Sequence, residues 1–429
     1  MKRTSCINCS SSNLKKFIDL GTQPNGNSFP SGADLDKEIL HPCSMIVCTD
    51  CWQVQLAQTP PAETLFNDHP YITGINKPVV RHMQKLAQDI VNKLGLKENS
   101  LVLDIGANDG TLLSIFRSLG MRTFGVDPCK TTCEIATKSG VNVLQNFWNE
   151  ETARSIKENG MLPDLITATA VFYHNDDIHS FIRGLNILMK DDSFFIAQCV
   201  YLKDAIEKLQ FDHFYHEHSM IHALAPLQRI FKQHGLKMID VEFDPIHGGS
   251  FILYISKETS SVEVNESVHL AIEKEKQAGL NEFSTYQKFT KSVELNKTLL
   301  IKFLQKLKAE CKTIFGLGAP VKGSTLLNYY GIGPEMIDKI VEINDHKIGR
   351  FTPGTHIPIV SESDLDTTPD YYLVLTWNFL DYLVGKYNKF LDSGGKFIVP
   401  HPTPMVIGAD AFPVNIEHHI ESNSEFISR

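Results

Sequence analysis

With 429 residues, the chain exceeds what one ordinary core supports, and two or three domains are expected. Apolar residues make up 42% and charged residues 21%, an ordinary globular composition, and no run approaches the roughly 20 apolar residues that span a bilayer. A net charge of −9 argues against a general nucleic-acid binder, and the first residues lack the apolar core of a secretory signal, so the nine cysteines are expected to be reduced thiols in a cytoplasmic protein.

Residues 1–60 are turn-rich and carry two C-x-x-C knuckles, Cys6 with Cys9 and Cys48 with Cys51. Zinc takes four thiolates tetrahedrally, and each knuckle supplies two from a tight turn, so a structural zinc site is expected. Four ordinary cytosolic thiols are the alternative. Cys43 is a spare ligand that belongs to neither knuckle. The intervening segment has few basic residues, which favours a clamp on the next domain over a nucleic-acid contact.

Residues 61–99 form a connector. The polar, aromatic, glycine-terminated stretch 64–74 reads as a loop, either covering a neighbouring site or packed as a linker, and 78–94 reads as a helix.

From 100 to 257, apolar runs at 101–105, 123–126, 141–144, 164–172, 194–200, 238–243 and 250–255 alternate with mostly helical patterns. That is a doubly wound α/β sheet, and the turn signal at 245–249 makes the last two runs an antiparallel hairpin at its edge. The first run ends in Asp104 and enters Gly106-Ala-Asn-Asp-Gly110, which is G-x-x-x-G and not the dinucleotide G-x-G-x-x-G. The second ends in Asp127, placed to accept from both hydroxyls of a ribose. A seven-run sheet of this kind is the pattern of class I methyltransferases. S-adenosylmethionine has no pyrophosphate to seat on a helix, but needs close backbone approach and a ribose carboxylate. Asp104, Gly106, Asn108, Gly110, Asp127 and Pro128 are the candidate cofactor residues.

Phe211-Asp-His-Phe-Tyr-His-Glu-His218 concentrates three histidines, a tyrosine and two carboxylates after the fifth run, over the sheet edge where ligands bind. The spacing is not that of a zincin. A solvated polar loop is the bland alternative, and an acid/base cluster fits better because histidine titrates near neutrality. His174, Asn175 and His247 lie at the same edge.

These residues together resemble the S-adenosylmethionine-dependent C-methyltransferases that act on nucleotide-linked keto-deoxysugars, typified by the C-3′ methyltransferase of the tetronitrose pathway. The two knuckles are similar to that family's zinc-binding domain. Residues 211–218 are similar to its F-D-x-x-Y-x-E-H signature, His247-Gly-Gly to its hairpin, and Gly316 to Asn328 to its G-x-G-A-x-x-K-G-x-x-L-L-N segment. The resemblance implies enolate formation by a histidine base, His218, with Tyr215 polarising the keto oxygen or holding the sugar, Glu217 on a sugar substituent and His174 as a further active-site histidine. It also implies substrate contacts at Tyr71, His247, Lys322 and Asn328, a probable dTDP-sugar substrate, and a monomer or weak homo-oligomer without nucleic-acid or membrane partners. Two positions depart from the family: Ala170 replaces a frequent Asn, and His69 replaces the first of two tyrosines.

Residues 258–429 begin with a charged helical region to 310 and continue with strand runs at 312–317, 339–344, 371–376 and 396–399. They read as a second, smaller Rossmann-like domain. Gly316 and Gly318 with Asp345 leave open an NAD-dependent oxidoreductase, and a scaffold built on an inactive methyltransferase fold is the non-enzyme alternative. Lys322, at a helix start, is placed either to meet a phosphate or to be simply solvated.

Overall fold

The computed structural model describes residues 2–67, 71–409 and 413–417; His69 lies outside them. The chain divides into two compact units that do not follow chain order. One comprises Met1–Lys16, Met45–Lys203 and Glu217–Phe283; the other comprises Phe17–Ser44, Asp204–His216 and Ser284–Arg429.

The first unit is built on a seven-stranded sheet. Its spatial order is Leu236–Asp244, Ser250–Lys257, Phe194–Val200, Leu165–Thr169, Leu101–Ile105, Arg122–Asp127, Val143–Gln145. The last five in that order are parallel, and the first two form an antiparallel hairpin running Leu236↔Lys257 to Asp244↔Ser250. Numbered along the chain the order is 3-2-1-4-5-7-6, the class I methyltransferase arrangement expected from the alternating runs.

Both faces of the sheet are covered at its centre, so the strands Leu101–Ile105, Leu165–Thr169 and Phe194–Val200 are buried on both sides almost throughout. Leu103 and Ile105 face a core with Phe172, Phe181, Leu185 and Ile230. Val102, pointing the other way, joins Leu86, Ile90, Leu112 and Phe116. The helix Lys77–Leu94 contributes to the second face through Val79, Leu86, Ala87 and Ile90, at helical spacing. Asn76 caps its start by accepting from the Val79 N–H, Pro78 sits in the first turn, and Gly95 closes it at φ 60°. The helix Leu224–Gln233 lacks a cap from its own N-cap side chain. Glu275, on the helix Glu266–Gln277, supplies one instead, accepting from Leu224 N at 2.6 Å and Ala225 N at 3.0 Å. Ahead of the sheet, Met45–Val47 pairs antiparallel with Val54–Leu56, which in turn pairs with Met220–Ile221.

The second unit holds another seven-stranded sheet, ordered Ile359–Ser361, Lys339–Glu342, Ile314–Leu317, Tyr371–Val374, Lys396–Val399, Met405–Ile407, Pro413–Asn415. Its first five strands are parallel and the last two antiparallel. It is the Rossmann-like domain expected from four runs, extended by three strands of three residues each. Residues 17–44 pack into this unit. Ser324 Oγ donates to Gly26 O at 3.0 Å, Arg350 donates to Phe29 O, and a Cβ on Gly26 would stand 2.8 Å from Val321 Cγ2. The chain itself thus covers the first turn of the helix Val321–Tyr330, where a dinucleotide pyrophosphate would sit. Among the described residues no helix is long and apolar enough to cross a membrane.

Candidate active site

The strand Leu101–Ile105 is buried throughout and must turn sharply into the helix Thr111–Ser118. The turn uses left-handed backbone three times, at Gly106 (φ 73°), Asn108 (φ 51°) and Gly110 (φ 75°). At Gly106 the constraint is also steric, because a Cβ would lie 2.3 Å from Val171 Cγ2. Gly110 starts the helix and is buried behind the turn. The connector is stapled to it. Asn108 Oδ1 accepts from Thr73 N at 3.0 Å, Asn108 Nδ2 donates to Tyr71 O at 3.0 Å, and Asp109 Oδ2 accepts from Gly74 N at 2.7 Å.

The turn opens onto a cavity of about 760 Å³, within the roughly 300–1,000 Å³ of small-molecule sites. Asp104, Gly106, Asn108, Asp127 and Pro128 line it, as do Tyr71, His174 and His247. Asp127 Oδ2 accepts from Asn108 N at 2.9 Å, and Oδ1 accepts from Cys129 N at 2.9 Å and Thr132 Oγ1 at 3.1 Å, so the carboxylate is fixed in place. Burial pushes the Asp104 carboxyl up to about 7, against the Thr167 hydroxyl that donates to it at 2.6 Å and with the Asp127 charge adding to the rise. A buried acid that hovers near neutrality at a cavity wall is suited to meeting a cation.

After the strand Leu165–Thr169 the backbone passes through Ala170 at φ 58° into the short 3₁₀ turn Phe172–His174. The His174 imidazole lies 3.0 Å from Ala170 O through Nε2 and stands edge-on to Phe66, centroids 5.2 Å apart. His218 is buried beside it. Its ring is 5.2 Å from that of His174 and 4.4 Å from that of Tyr173. Glu217 is buried too. Burial holds the Tyr173 phenol far above its ordinary range, so it is a hydrogen-bonding group and not an anion. His247 takes φ 59° in the hairpin turn Ile246–Gly248. Tyr215 is also buried, but belongs to the other unit: the boundary passes between His216 and Glu217.

In that other unit, Asp212 is fully buried, accepts from Trp377 Nε1 at 2.7 Å and lies 3.2 Å from His401 Nε2. Lys322 Nζ donates to Asn378 Oδ1 at 2.6 Å and stands 4.2 Å over the Trp377 ring. Burial brings the Lys322 ammonium down to about 8, opposed by the Asp212 charge. Lys322 is therefore not the solvated helix-start lysine that its position allowed. Asn328 gives its amide to Ser324 O and Pro353 O, and a Cβ on Gly354 would lie 2.2 Å from its Oδ1. Those contacts brace the local backbone.

The thiols of Cys6, Cys9, Cys48 and Cys51 all lie within 4.8 Å of one another. Cys6 Sγ to Cys51 Sγ and Cys9 Sγ to Cys48 Sγ are both 3.6 Å. A tetrahedral zinc with Zn–S near 2.3 Å holds its sulfurs about 3.8 Å apart, whereas a disulfide needs about 2.05 Å. The four thiols thus fit a structural zinc with no open position. Both knuckles close alike: Ser10 N donates to Cys6 O at 2.9 Å and Trp52 N to Cys48 O at 2.8 Å, with Ser10 at φ 60° and Trp52 at φ 64°. Cys43 is outside this group, donates to Phe214 O at 3.3 Å, and is pushed up to about 12 by burial.

Two cavity residues had no motif to announce them. His82 comes from the helix Lys77–Leu94, where it is one polar residue among several, and Gln198 is the lone polar residue of the strand Phe194–Val200.

Comparison with known proteins gives family matches over three successive stretches of the chain. Residues 6–66 match a putative zinc binding domain, 79–241 a methyltransferase domain, and 245–402 a C-methyltransferase C-terminal domain. The C-methyltransferase NovU of Streptomyces niveus is 32% identical over 408 residues, covering 95% of this chain and 97% of that protein. Among solved structures, the magnesium protoporphyrin IX methyltransferase of Synechocystis aligns at 16% identity over 42% of this chain and 81% of its own, with a TM-score of 0.32. The plantazolicin methyltransferase BpumL aligns at 12% identity over 43% of this chain and 86% of its own, with a TM-score of 0.35.

Proposed function

We propose, for a chain that belongs to the family of S-adenosylmethionine-dependent C-methyltransferases, that the methyl acceptor is a nucleotide-linked keto-deoxysugar, with a dTDP-sugar as the first candidate. The observation that carries the proposal is the placing of His174 in the wall of the cavity with the buried His218 ring 5.2 Å from it. A carbon accepts a methyl group only when it carries negative charge, and the carbon beside a keto group gains it by losing a proton to a base.

Bound S-adenosylmethionine supplies an electrophilic methyl on a sulfonium. For its binding, the backbone of Gly106 gives close approach, Asn108 and Pro128 form the wall, Asp127 meets the ribose diol and Asp104 a cationic end of the methionine, while Gly110, expected at the cofactor, instead shapes the turn from behind. His218 takes the proton from the carbon next to the carbonyl. Tyr215 donates to the keto oxygen, where charge develops, so that the enolate forms at lower cost. The C–H bond breaks toward His218, the carbanion so formed would take the methyl that bound S-adenosylmethionine supplies, leaving S-adenosylhomocysteine, and the proton leaves by way of the imidazole. Glu217 holds a sugar substituent, and His174, Tyr71 and His247 orient the acceptor. Lys322 and Asn328 belong to the nucleotide side.

The experiment is methyl transfer to a panel of dTDP-keto sugars by wild type and His218→Ala. The variant is expected to keep S-adenosylhomocysteine affinity and to lose at least about a hundredfold in turnover, the scale of general-base catalysis. Turnover at the wild-type rate removes His218 as the base.

A further inference from the structure

Gln198 is 2% exposed and lines the cavity from the strand Phe194–Val200. Its Oε1 lies 2.6 Å from His82 Nε2, while among the described residues no acceptor meets its own Nε2. Behind it, His82 Nδ1 stands 3.5 Å from Asp244 Oδ1. The same Asp244 oxygen accepts from Ile246 N at 2.8 Å, at the start of the turn that presents His247 to the cavity. Asp244 thus anchors the start of the hairpin turn and stands beside the imidazole that meets the buried amide. An amide held through its oxygen offers its NH2 in one direction, and here the open direction is the cavity.

The side of the cavity matters. Asp104, Gly106 and Asp127 come from the strands Leu101–Ile105 and Arg122–Asp127 and the turn between them. Gln198 and His247 come from the other half of the sheet, beyond the point where strand order reverses. An N–H donor there does not suit a sulfonium, but it does suit a carbonyl or hydroxyl oxygen. We propose that Gln198 is an acceptor-binding residue whose NH2 donates to an oxygen of the methyl acceptor, and that His82, donating through Nε2 to the amide oxygen, is the positioning residue that sets its orientation. The inference rests on the oxygen-rich acceptor proposed above.

The test compares wild type, Gln198→Ala, Gln198→Glu, His82→Ala and the His82→Ala/Gln198→Ala double variant, at saturating S-adenosylmethionine. Gln198→Glu keeps the shape and removes the donor, which separates a lost contact from a packing defect. Each single variant is expected to raise the acceptor KM about three- to tenfold, the worth of one neutral hydrogen bond. S-adenosylhomocysteine affinity is expected to stay within about twofold, and the double variant to be no worse than the worse single one. Nitrogen-15 NMR of the wild type loaded with S-adenosylhomocysteine should show a proton on His82 Nε2. Additive effects, a loss of S-adenosylhomocysteine affinity in place of the KM effect, or an unprotonated Nε2 overturns the inference. A wild type that methylates no nucleotide-linked keto sugar overturns the substrate reading; the proton on Nε2, read without any acceptor, still supports or overturns the orientation of Gln198.

Discussion

Asp104 connects the electrostatics of the cavity to cofactor binding. Its carboxyl is raised from 3.8 to about 7, first by burial. At that value about a tenth of the molecules carry the charge at pH 6 and about nine tenths at pH 8. If its partner is a cationic end of the cofactor, only the ionised form binds tightly. Affinity for S-adenosylhomocysteine, which keeps the ammonium, should then rise about tenfold from pH 6 to pH 8, roughly 1.4 kcal/mol, and level off above. Below pH 7 binding should release close to one proton, because the cation pulls the Asp104 proton off. Calorimetry in buffers of different ionisation enthalpy counts that proton directly. Asp104→Asn should bind more weakly at pH 8 and show no such pH dependence. The ligand-free fold should respond in the opposite sense. A raised acid pKa means the native state keeps a proton that the unfolded chain gives up, so stability falls as pH rises from 3.8 to about 7. Asp104→Asn should therefore unfold at higher urea than wild type at pH 8. A wild-type affinity that is flat from pH 6 to 8, or an equal pH dependence in the variant, refutes the assignment.

The other predictions concern the supports of the site. Gly106→Ala places a methyl 2.3 Å from Val171 Cγ2 at φ 73°; it should lose at least about tenfold in S-adenosylhomocysteine affinity, the left-handed backbone alone costing about 1–2 kcal/mol, and Val171→Ala should recover part of that loss in titrations. Cys48→Ser should lower bound zinc, measured by elemental analysis, and speed amide exchange in the strand pairs at Met45–Val47 and Val54–Leu56. Glu275→Ala leaves the Leu224 and Ala225 N–H groups without their acceptor and should cost about 2–4 kcal/mol in urea unfolding. Because burial raises Glu275 to about 7, wild-type stability should fall between pH 4.5 and 7, and Glu275→Gln should flatten that slope.

The sheet of the first unit was legible because its strands are sandwiched between two layers. Burial on both faces makes the central runs almost continuously apolar, and a glycine-rich turn announces the hairpin before Ser250–Lys257. In the second unit, Ile359–Ser361, Met405–Ile407 and Pro413–Asn415 are three residues long, too short for any alternation to show. The glycine turn and the cysteine knuckles were legible as local chemistry, since their geometry is made by neighbours in sequence. The staple between Asn108, Asp109 and residues 71–74 was not, because polar side chains that bond backbone far along the chain leave no period. The same holds for His82 and Gln198, which meet across 116 positions of sequence. Lys322 shows the limit of position alone: a helix-start lysine is ordinarily solvated, and only the tertiary fold reveals the indole beneath it.

The division of the chain has a consequence for how the protein is made and how it can vary. The polypeptide changes units five times, after Lys16, Ser44, Lys203, His216 and Phe283. Neither unit is a continuous stretch, so no single cut frees one of them whole. On the ribosome the first unit lacks its last piece until Phe283 has emerged, although its zinc ligands are all present by Cys51. Recombination that exchanged the carboxyl-terminal half for that of a relative would also break the other unit, which claims residues 17–44 and 204–216. The interleaving ties inheritance of the methyl-donor cavity to inheritance of its companion unit.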